Sequence, residues 1–254
     1  FKELGAEVTK AFVDPDGYNI NNCCGALHPE TVAKKVREQG ADIGIAFDGD
    51  ADRVIFCDER GSVVDGDRVL AMCALDLKER GQLAQNRLVV TTMSNMGLHD
   101  AMKAARIRVD TTDVGDRLVI DHMRKTGASL GGEKSGHVIL MDHATTGDGI
   151  ITGLQVLRIM KQRGKRLSDL AKCMHEHPQR MISLRIRERK PIDTLPNLSR
   201  TIAQCEAALG RNGRQIVRYS GTENKIRLLV EARTTGMVDK WLRNLERAAR
   251  KDLG

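Results

Sequence analysis

At 254 residues, with 41 Lys and Arg against 34 Asp and Glu, the chain carries a net charge of +7 and is long enough to fold as two or three domains. Only 3% of its residues are aromatic and the basic ones are scattered, which argues against nucleic-acid binding, and no apolar run approaches a membrane span. The six cysteines show no Cys-x-x-Cys pairing, so free thiols in a reducing cytoplasm are expected and a zinc site is not. A positive balance of this kind suits small phosphorylated substrates.

Phe1-Lys2-Glu3-Leu4-Gly5 reads as the last turn of a helix closed by glycine, as expected of a chain that begins inside a longer protein. Residues 6–13 predict a strand and Asp14-Pro15-Asp16-Gly17 a turn. A helix follows from His28 to Gln39, closed by Gly40. Strands at 41–47 and 54–57 then flank Asp48-Gly49-Asp50-Ala51-Asp52-Arg53.

In an extended loop, residues two apart point to one side, so Asp48, Asp50 and Asp52 converge. Carboxylates this close repel one another unless a cation sits among them. Hard oxygen ligands suit Mg²⁺, and Arg53 would face an anion held by the metal; the alternative is a solvated acidic turn. A calcium EF-hand is excluded. Glu59 fits its last position, but Arg53 stands where the loop needs its turning glycine, and strands rather than helices flank it.

Asp65 or Asp67 reads as an N-cap for a helix with apolar Val69, Leu70, Cys73, Ala74 and Leu77. A βαβαβ rhythm follows. Strands are expected at 87–93, 107–111 and 129–132, and helices at 96–105, capped by Ser94 or Asn95, and 117–125, started by Asp116. Such alternation implies a mostly parallel sheet with helical cover. In the next loop, Glu133, Ser135 and His137 alternate between glycines. Together they could hydrogen-bond the vicinal hydroxyls of a sugar, or form a plain polar hairpin. A strand at 138–141, a helix at 150–162 and a helix at 167–175 come after, with His175 and His177 read as structural.

Beyond Pro178 the pattern becomes α+β. Strands are expected at 182–186, 215–219 and 225–232, with helices at 198–209 and 237–253, the last carrying Trp241 as a packing anchor. The loop Arg218-Tyr219-Ser220-Gly221-Thr222-Glu223 offers hydroxyls, glycine N–H groups and an arginine. That combination suits a phosphate, with Arg227 placed to join it; a plain hairpin turn is the alternative.

Asp48 to Arg53, Gly132 to His137 and Arg218 to Glu223 resemble, in order, the metal loop DGDxDR, the sugar loop GExSGH and the phosphate loop RxSGTE of the α-D-phosphohexomutase family. Gly17-Tyr18-Asn19-Ile20-Asn21 with Cys24-Gly25, Met93 to Leu98 and Thr145 to Ile150 extend the likeness end to end. The resemblance implies an α/β chain with mixed or parallel sheets under helical cover and a small C-terminal α+β domain. The expected divisions are 1–64 with the metal loop, 65–180 with the sugar loop and 181–254 with the phosphate loop, all opening on one cleft.

It further implies interconversion of glucosamine 6-phosphate and glucosamine 1-phosphate through a phosphoserine and a bisphosphate intermediate. A mannose or glucose phosphate is the alternative substrate, and a non-catalytic sugar-phosphate-binding fragment a second alternative. Mg²⁺ would be held by Asp48, Asp50 and Asp52, with Arg53 assisting and His137 as general acid/base or hydrogen-bond donor. Glu133, Ser135 and His137 would contact the sugar. Gly115, Asp116 and Arg117 form a further substrate-facing loop, unless Asp116 is a simple helix cap. Arg218, Ser220, Gly221, Thr222, Glu223 and Arg227 would hold the phosphate that is not reacting. The family's phosphoserine lies in a first domain that no residue here matches, so these residues alone are expected to be inactive. The phosphate loop also departs from the family, with Asn224 in place of a proline and Tyr219 inside it. Nucleic acid and membrane are not expected partners; a homodimer is left open.

Overall fold

The computed structural model describes residues 1–221 and 223–254, arranged as two compact units, Phe1–His175 and Glu176–Gly254. In the first unit, Pro29 at its first turn and Gly40 in the left-handed conformation (φ 64°) bound the helix α1, Pro29–Gln39. Its Ala33 and Val36 pack against Cys57. Strands β1 (Ile43–Phe47) and β2 (Val54–Asp58) pair antiparallel with Phe47 opposite Val54, so the acidic motif is the loop of a hairpin. A short β3, Val63–Val64, completes this sheet in the order β1-β2-β3. The strand expected at 6–13 does not form. Phe12 takes φ 58°, and Phe12 and Val13 are 59% and 55% exposed, so the apolar run has no sheet to bury against.

A second sheet follows α2 (Gly66–Glu79) and is built from β4 (Arg87–Thr91), α3 (Met96–Ala104), β5 (Arg108–Thr112), α4 (Asp116–Thr126), β6 (Leu130–Gly132) and β7 (Val138–Leu140). Its order is β5-β4-β6-β7, with β4 parallel to β5 and β6, and β7 antiparallel to β6. Alternate residues serve opposite faces. Leu88, Val90 and Leu130 join Leu70 and Ala74 of α2 and Val156 and Ile159 of α5 (Gly149–Arg163), while Val89 and Ile139 meet Val119 and Met123 of α4. Each such fully buried side chain contributes about 1.5–3 kcal/mol. The helix expected at 167–175 stops early. Only α6, Leu167–Leu170, is α-helical, a 3₁₀ turn follows, and extended Met174 then plugs the core.

The second unit is an antiparallel sheet under two helices. Strands β8 (Gln179–Arg185), β9 (Gly213–Tyr219) and β10 (Lys225–Ala232) run in the order β8-β10-β9. Helices α7 (Pro196–Leu209) and α8 (Thr235–Leu253) share one core with it, where Leu198, Cys205, Trp241 and Leu245 meet Ile226, Leu228 and Val230. Trp241 is a packing anchor, as its spacing suggested. Among the described residues no helix is long and apolar enough to cross a membrane. Cys57, Cys73 and Cys205 are buried, and burial pushes the Cys73 thiol up to about 12, which leaves it unreactive.

Candidate active-site loops

The acidic loop is closed by its own side chains. The Arg53 N–H donates to Asp48 Oδ1 at 3.1 Å, and Arg53 Nε lies 2.6 Å from Asp48 Oδ2. Ala51 adopts φ 59°, turning the chain so that one carboxylate oxygen from each of Asp48, Asp50 and Asp52 lies within 4.8 Å of the others. Asp48 is buried, Asp52 half-buried and Asp50 exposed, so the cluster opens to solvent on one side. Burial, and then the charge of Asp48, raise the pKa of Asp52 above the usual carboxylate range, against the pull of His137. Burial lowers the pKa of Arg53, but Asp48 and Asp52 more than offset it, so the guanidinium is a permanent cation. Three converging hard oxygens, one of them on a carboxylate disfavoured as an anion, fit a divalent cation such as Mg²⁺.

The sugar loop lies directly alongside. It is the β6–β7 hairpin, tightened by hydrogen bonds from the Glu133 N–H to His137 O at 2.9 Å and from the Gly136 N–H to Glu133 O at 3.0 Å. The Val54 N–H donates to Gly136 O at 3.1 Å, and Arg53 and His137 form an antiparallel bridge, so the two loops share backbone pairing. Gly136 takes φ 95°, and a Cβ there would stand 2.2 Å from Val54 O. His137 is 3% exposed; neither ring nitrogen makes a hydrogen bond, and Nε2 faces Asp52 Oδ2 at 3.4 Å. The Glu133 carboxylate accepts from the Gly115 N–H at 3.0 Å and from Ser135 Oγ at 3.2 Å. Gly115, Glu133 and Ser135 therefore come together. Asp116 and Arg117 stand exposed on the first turn of α4, and the cap position falls to Gly115, so Asp116 is not the helix's side-chain cap.

In the second unit the phosphate loop joins β9 to β10. The Ser220 N–H donates to Lys225 O at 2.9 Å, Ser220 is buried, and Gly221 has open space around it. Arg218 and Arg227 are direct cross-strand partners and so share a face. Like charges in that register are unfavourable alone and become favourable around an anion. Arg227 Nε is buried without a hydrogen bond. Glu223 is paired with Lys225, whose hydrogen bond is the main cause of its lowered pKa, and lies 3.9 Å from Arg227. Thr222, assigned to this loop from the sequence, lies outside the described residues.

Models of one family match three consecutive stretches: phosphoglucomutase/phosphomannomutase alpha/beta/alpha domain II over residues 2–61, alpha/beta/alpha domain III over 65–177 and the C-terminal domain over 181–248. The chain belongs to the phosphoglucomutase/phosphomannomutase family. It is 51% identical over 231 residues to the phosphoglucosamine mutase of Anaeromyxobacter dehalogenans, covering 91% of this chain and 50% of that one. It is 50% identical over 254 residues to the phosphoglucosamine mutase of Geobacter sp. (strain M21), covering 100% of this chain and 56% of that one. The chain thus spans about half the length of the curated relatives it matches. Among solved structures, a phosphoglucomutase/phosphomannomutase family protein from Burkholderia thailandensis matches 99% of this chain and 56% of its own, with a TM-score of 0.78 at 24% identity. Aspergillus fumigatus N-acetylphosphoglucosamine mutase, in complex with GlcNAc-6P and magnesium, matches 92% of this chain and 54% of its own, with a TM-score of 0.73 at 21% identity. At these identities the likeness is one of fold.

Within this phosphohexomutase frame, sequence reasoning placed residues 147–149 in a stretch that caps a helix and extends the family likeness, and missed their contacts with the acidic loop and with His137. Asp148 does cap α5, accepting from the Ile151 N–H at 2.8 Å. But a Cβ on Gly147 would stand 2.5 Å from His137 Nε2, and the Gly149 N–H donates to Ala51 O at 2.9 Å. The signal was two glycines around a cap that needs neither. Arg189 was missed as well. It donates to Glu223 O at 2.9 Å from a stretch to which no role was assigned.

Proposed function

We propose that this chain is the metal- and sugar-phosphate-binding portion of a mutase that converts glucosamine 6-phosphate to glucosamine 1-phosphate, a step toward UDP-N-acetylglucosamine. One observation carries the reading: the Arg53–His137 bridge sets the triad of Asp48, Asp50 and Asp52 beside the loop of Glu133, Ser135 and His137. About half of the aligned residues are identical to proteins named phosphoglucosamine mutase, which favours glucosamine over glucose or mannose. Matches over 2–61, 65–177 and 181–248 support divisions at 1–64, 65–180 and 181–254.

Asp48, Asp50 and Asp52 would hold Mg²⁺, which when bound offsets charge on a transferring phosphoryl group. Arg53, kept charged by Asp48 and Asp52, binds the phosphoryl oxygens at the same end. Glu133 and Ser135 exchange their bonds with Gly115 and with each other for the sugar hydroxyls, and Gly115, Asp116 and Arg117 face the substrate. The His137 ring, buried beside Asp52 and with both nitrogens free of hydrogen bonds, donates or accepts a proton at the reacting hydroxyl. Arg218, Ser220, Gly221, Thr222, Glu223 and Arg227 hold the second phosphate. A serine of the family's first domain gives its phosphoryl group to the free sugar hydroxyl and, after the bisphosphate turns over, takes back the other phosphate, so residues 1–254 alone bind without turning over. Free thiols suit a reducing cytoplasm.

Coupled assays of the complete protein on the 6-phosphates of glucosamine, glucose and mannose test the substrate. Preference for glucosamine 6-phosphate is expected, and preference for either other sugar overturns the choice. For the 254-residue chain, calorimetry with a hexose bisphosphate and Mg²⁺ should register binding while the mutase assay stays flat; turnover there would refute the partition.

A further inference from the structure

Asp65-Gly66-Asp67, read from the sequence as a helix cap, touches the sugar loop at more points than capping requires. Asp65 does cap α2, its Oδ1 accepting from the Arg68 N–H at 3.2 Å, but its other oxygen lies 3.7 Å from Lys134 Nζ. The Gly66 N–H donates to Lys134 O at 3.1 Å. A Cβ on Gly66 would stand 2.1 Å from Glu133 O, 2.8 Å from Gly136 N and 3.0 Å from Lys134 O. Gly66 lies inside α2 and has no positive φ, so the requirement for glycine is one of space rather than backbone strain. Asp67, fully buried, accepts from the Asn95 N–H at 2.8 Å and fixes the same turn to the start of α3.

We propose that Asp65 and Gly66 are positioning residues for sugar-phosphate binding, acting through the backbone of residues 133–136. The loop is gripped from two sides. Val54, at the foot of the acidic loop, holds Gly136 O, and Gly66 backs Glu133 and Lys134. The distance between the triad and the Glu133 carboxylate is therefore set at both ends by main-chain contact. A side chain at position 66 pushes Glu133 O outward, and the Glu133 carboxylate moves with it. The triad, built wholly within the β1–β2 hairpin, keeps its own geometry. This role rests on the sugar-phosphate reading given above.

Gly66→Ala in the 254-residue chain, titrated calorimetrically with a hexose bisphosphate in Mg²⁺ and separately with Mg²⁺ alone, tests it. Misplacing a binding group by about an ångström is costly, so the bisphosphate Kd should rise at least about tenfold. The Mg²⁺ Kd should stay within about twofold, as for a site that the substitution does not touch. Unchanged bisphosphate binding, or a parallel loss of both affinities, overturns the proposal. If Gly66→Ala does not fold, Asp65→Asn decides, since it keeps the cap acceptor and removes the charge facing Lys134. It should weaken bisphosphate binding about twofold to threefold with Mg²⁺ binding intact, and no change there overturns the proposal. A wild-type chain that binds no bisphosphate sinks the functional reading and this one together; a wild-type chain that binds while the variants match it sinks this one alone.

Discussion

The hairpin carrying the acidic motif in the first unit and the hairpin carrying the phosphate motif in the second are the same local device, two antiparallel strands and a polar loop, secured by different means. Main-chain contacts from distant segments lock the acidic loop. Gly149 donates to Ala51 O, Ala26 donates to Phe47 O, and Gly25 sits so close that a Cβ would stand 2.5 Å from Phe47 O. Side chains brace the phosphate loop from a neighbouring segment. Tyr219 Oη donates to Lys190 O at 2.6 Å, Arg189 donates to Glu223 O, and a Cβ on Gly221 would meet nothing within 4 Å. The first arrangement is held by the main chain, as would suit a place where transition-state charge develops under the proposed function. The second can adjust, which suits a phosphate that is held without reacting.

Substitutions in the two loops should therefore separate kinetically in the complete protein. Asp48→Ala removes a buried oxygen of the proposed metal site and the partner of Arg53 at once. Loss of several kcal/mol of charge stabilisation predicts a fall in kcat of at least about a hundredfold, and loss of the upward shift in Tm that Mg²⁺ gives the parent. Arg218→Met removes one charged donor from the loop proposed to hold the phosphate that does not react. A bond of that kind is worth about 1.5–3 kcal/mol, so KM should rise about tenfold or more with kcat held, the signature of uniform binding. If Arg218→Met lowers kcat as much as Asp48→Ala does, the division between a chemical end and a holding end fails.

Burial supplies the next contrast. Burial pushes the Asp67 carboxyl up to about 7, Asp65 adds to this, and the Asn95 N–H, Lys134 and Ser94 oppose it. The folded state holds this proton between pH ~4 and ~7 while the unfolded chain has released it. The contribution is thus full in acid and is lost as pH rises through 7, by up to about 1.4 kcal/mol per pH unit. Asp67→Asn should flatten that slope in urea unfolding measured across the range. Glu223, fully exposed and held low chiefly by Lys225, works in the opposite sense and only in acid. An unchanged slope in Asp67→Asn would remove burial as the cause.

What was legible in the sequence tracks how local each determinant is. The strands around Asp48–Arg53, the caps Asp65 and Asn95 and the closing Gly40 were readable because alternation, side-chain caps and left-handed glycines act within a few residues. Residues 6–13 read as a strand, yet a strand needs a neighbour to pair with, none of the described residues pairs with this stretch, and Phe12 turns away. The early end of α6 has the same origin, since Met174 gains more by entering the core than by continuing a helix. At the site, chemistry was visible and placement was not. The convergence of Asp48, Asp50 and Asp52 follows from their spacing, whereas Gly66 against Glu133 and Gly147 against the His137 ring are close approaches between distant segments that no local pattern encodes.

Tyr219 and Asn224 give the finest test of the comparison. The family loop that this one resembles usually carries a proline at the position of Asn224, and proline stiffens a loop by fixing its φ. Here the stiffness comes from outside the loop, through Tyr219 to Lys190 O, Arg189 to Glu223 O, and the Ile186 N–H to Asn224 O at 3.1 Å. Tyr219→Phe deletes one exposed bond worth about 1 kcal/mol or less, so affinity for the bisphosphate should fall by no more than about fivefold. Adding Asn224→Pro should restore most of that loss, because a fixed φ replaces the missing brace. If the double variant binds no better than Tyr219→Phe alone, the hydroxyl acts on the ligand directly, and the second hairpin is no more adaptable than the first.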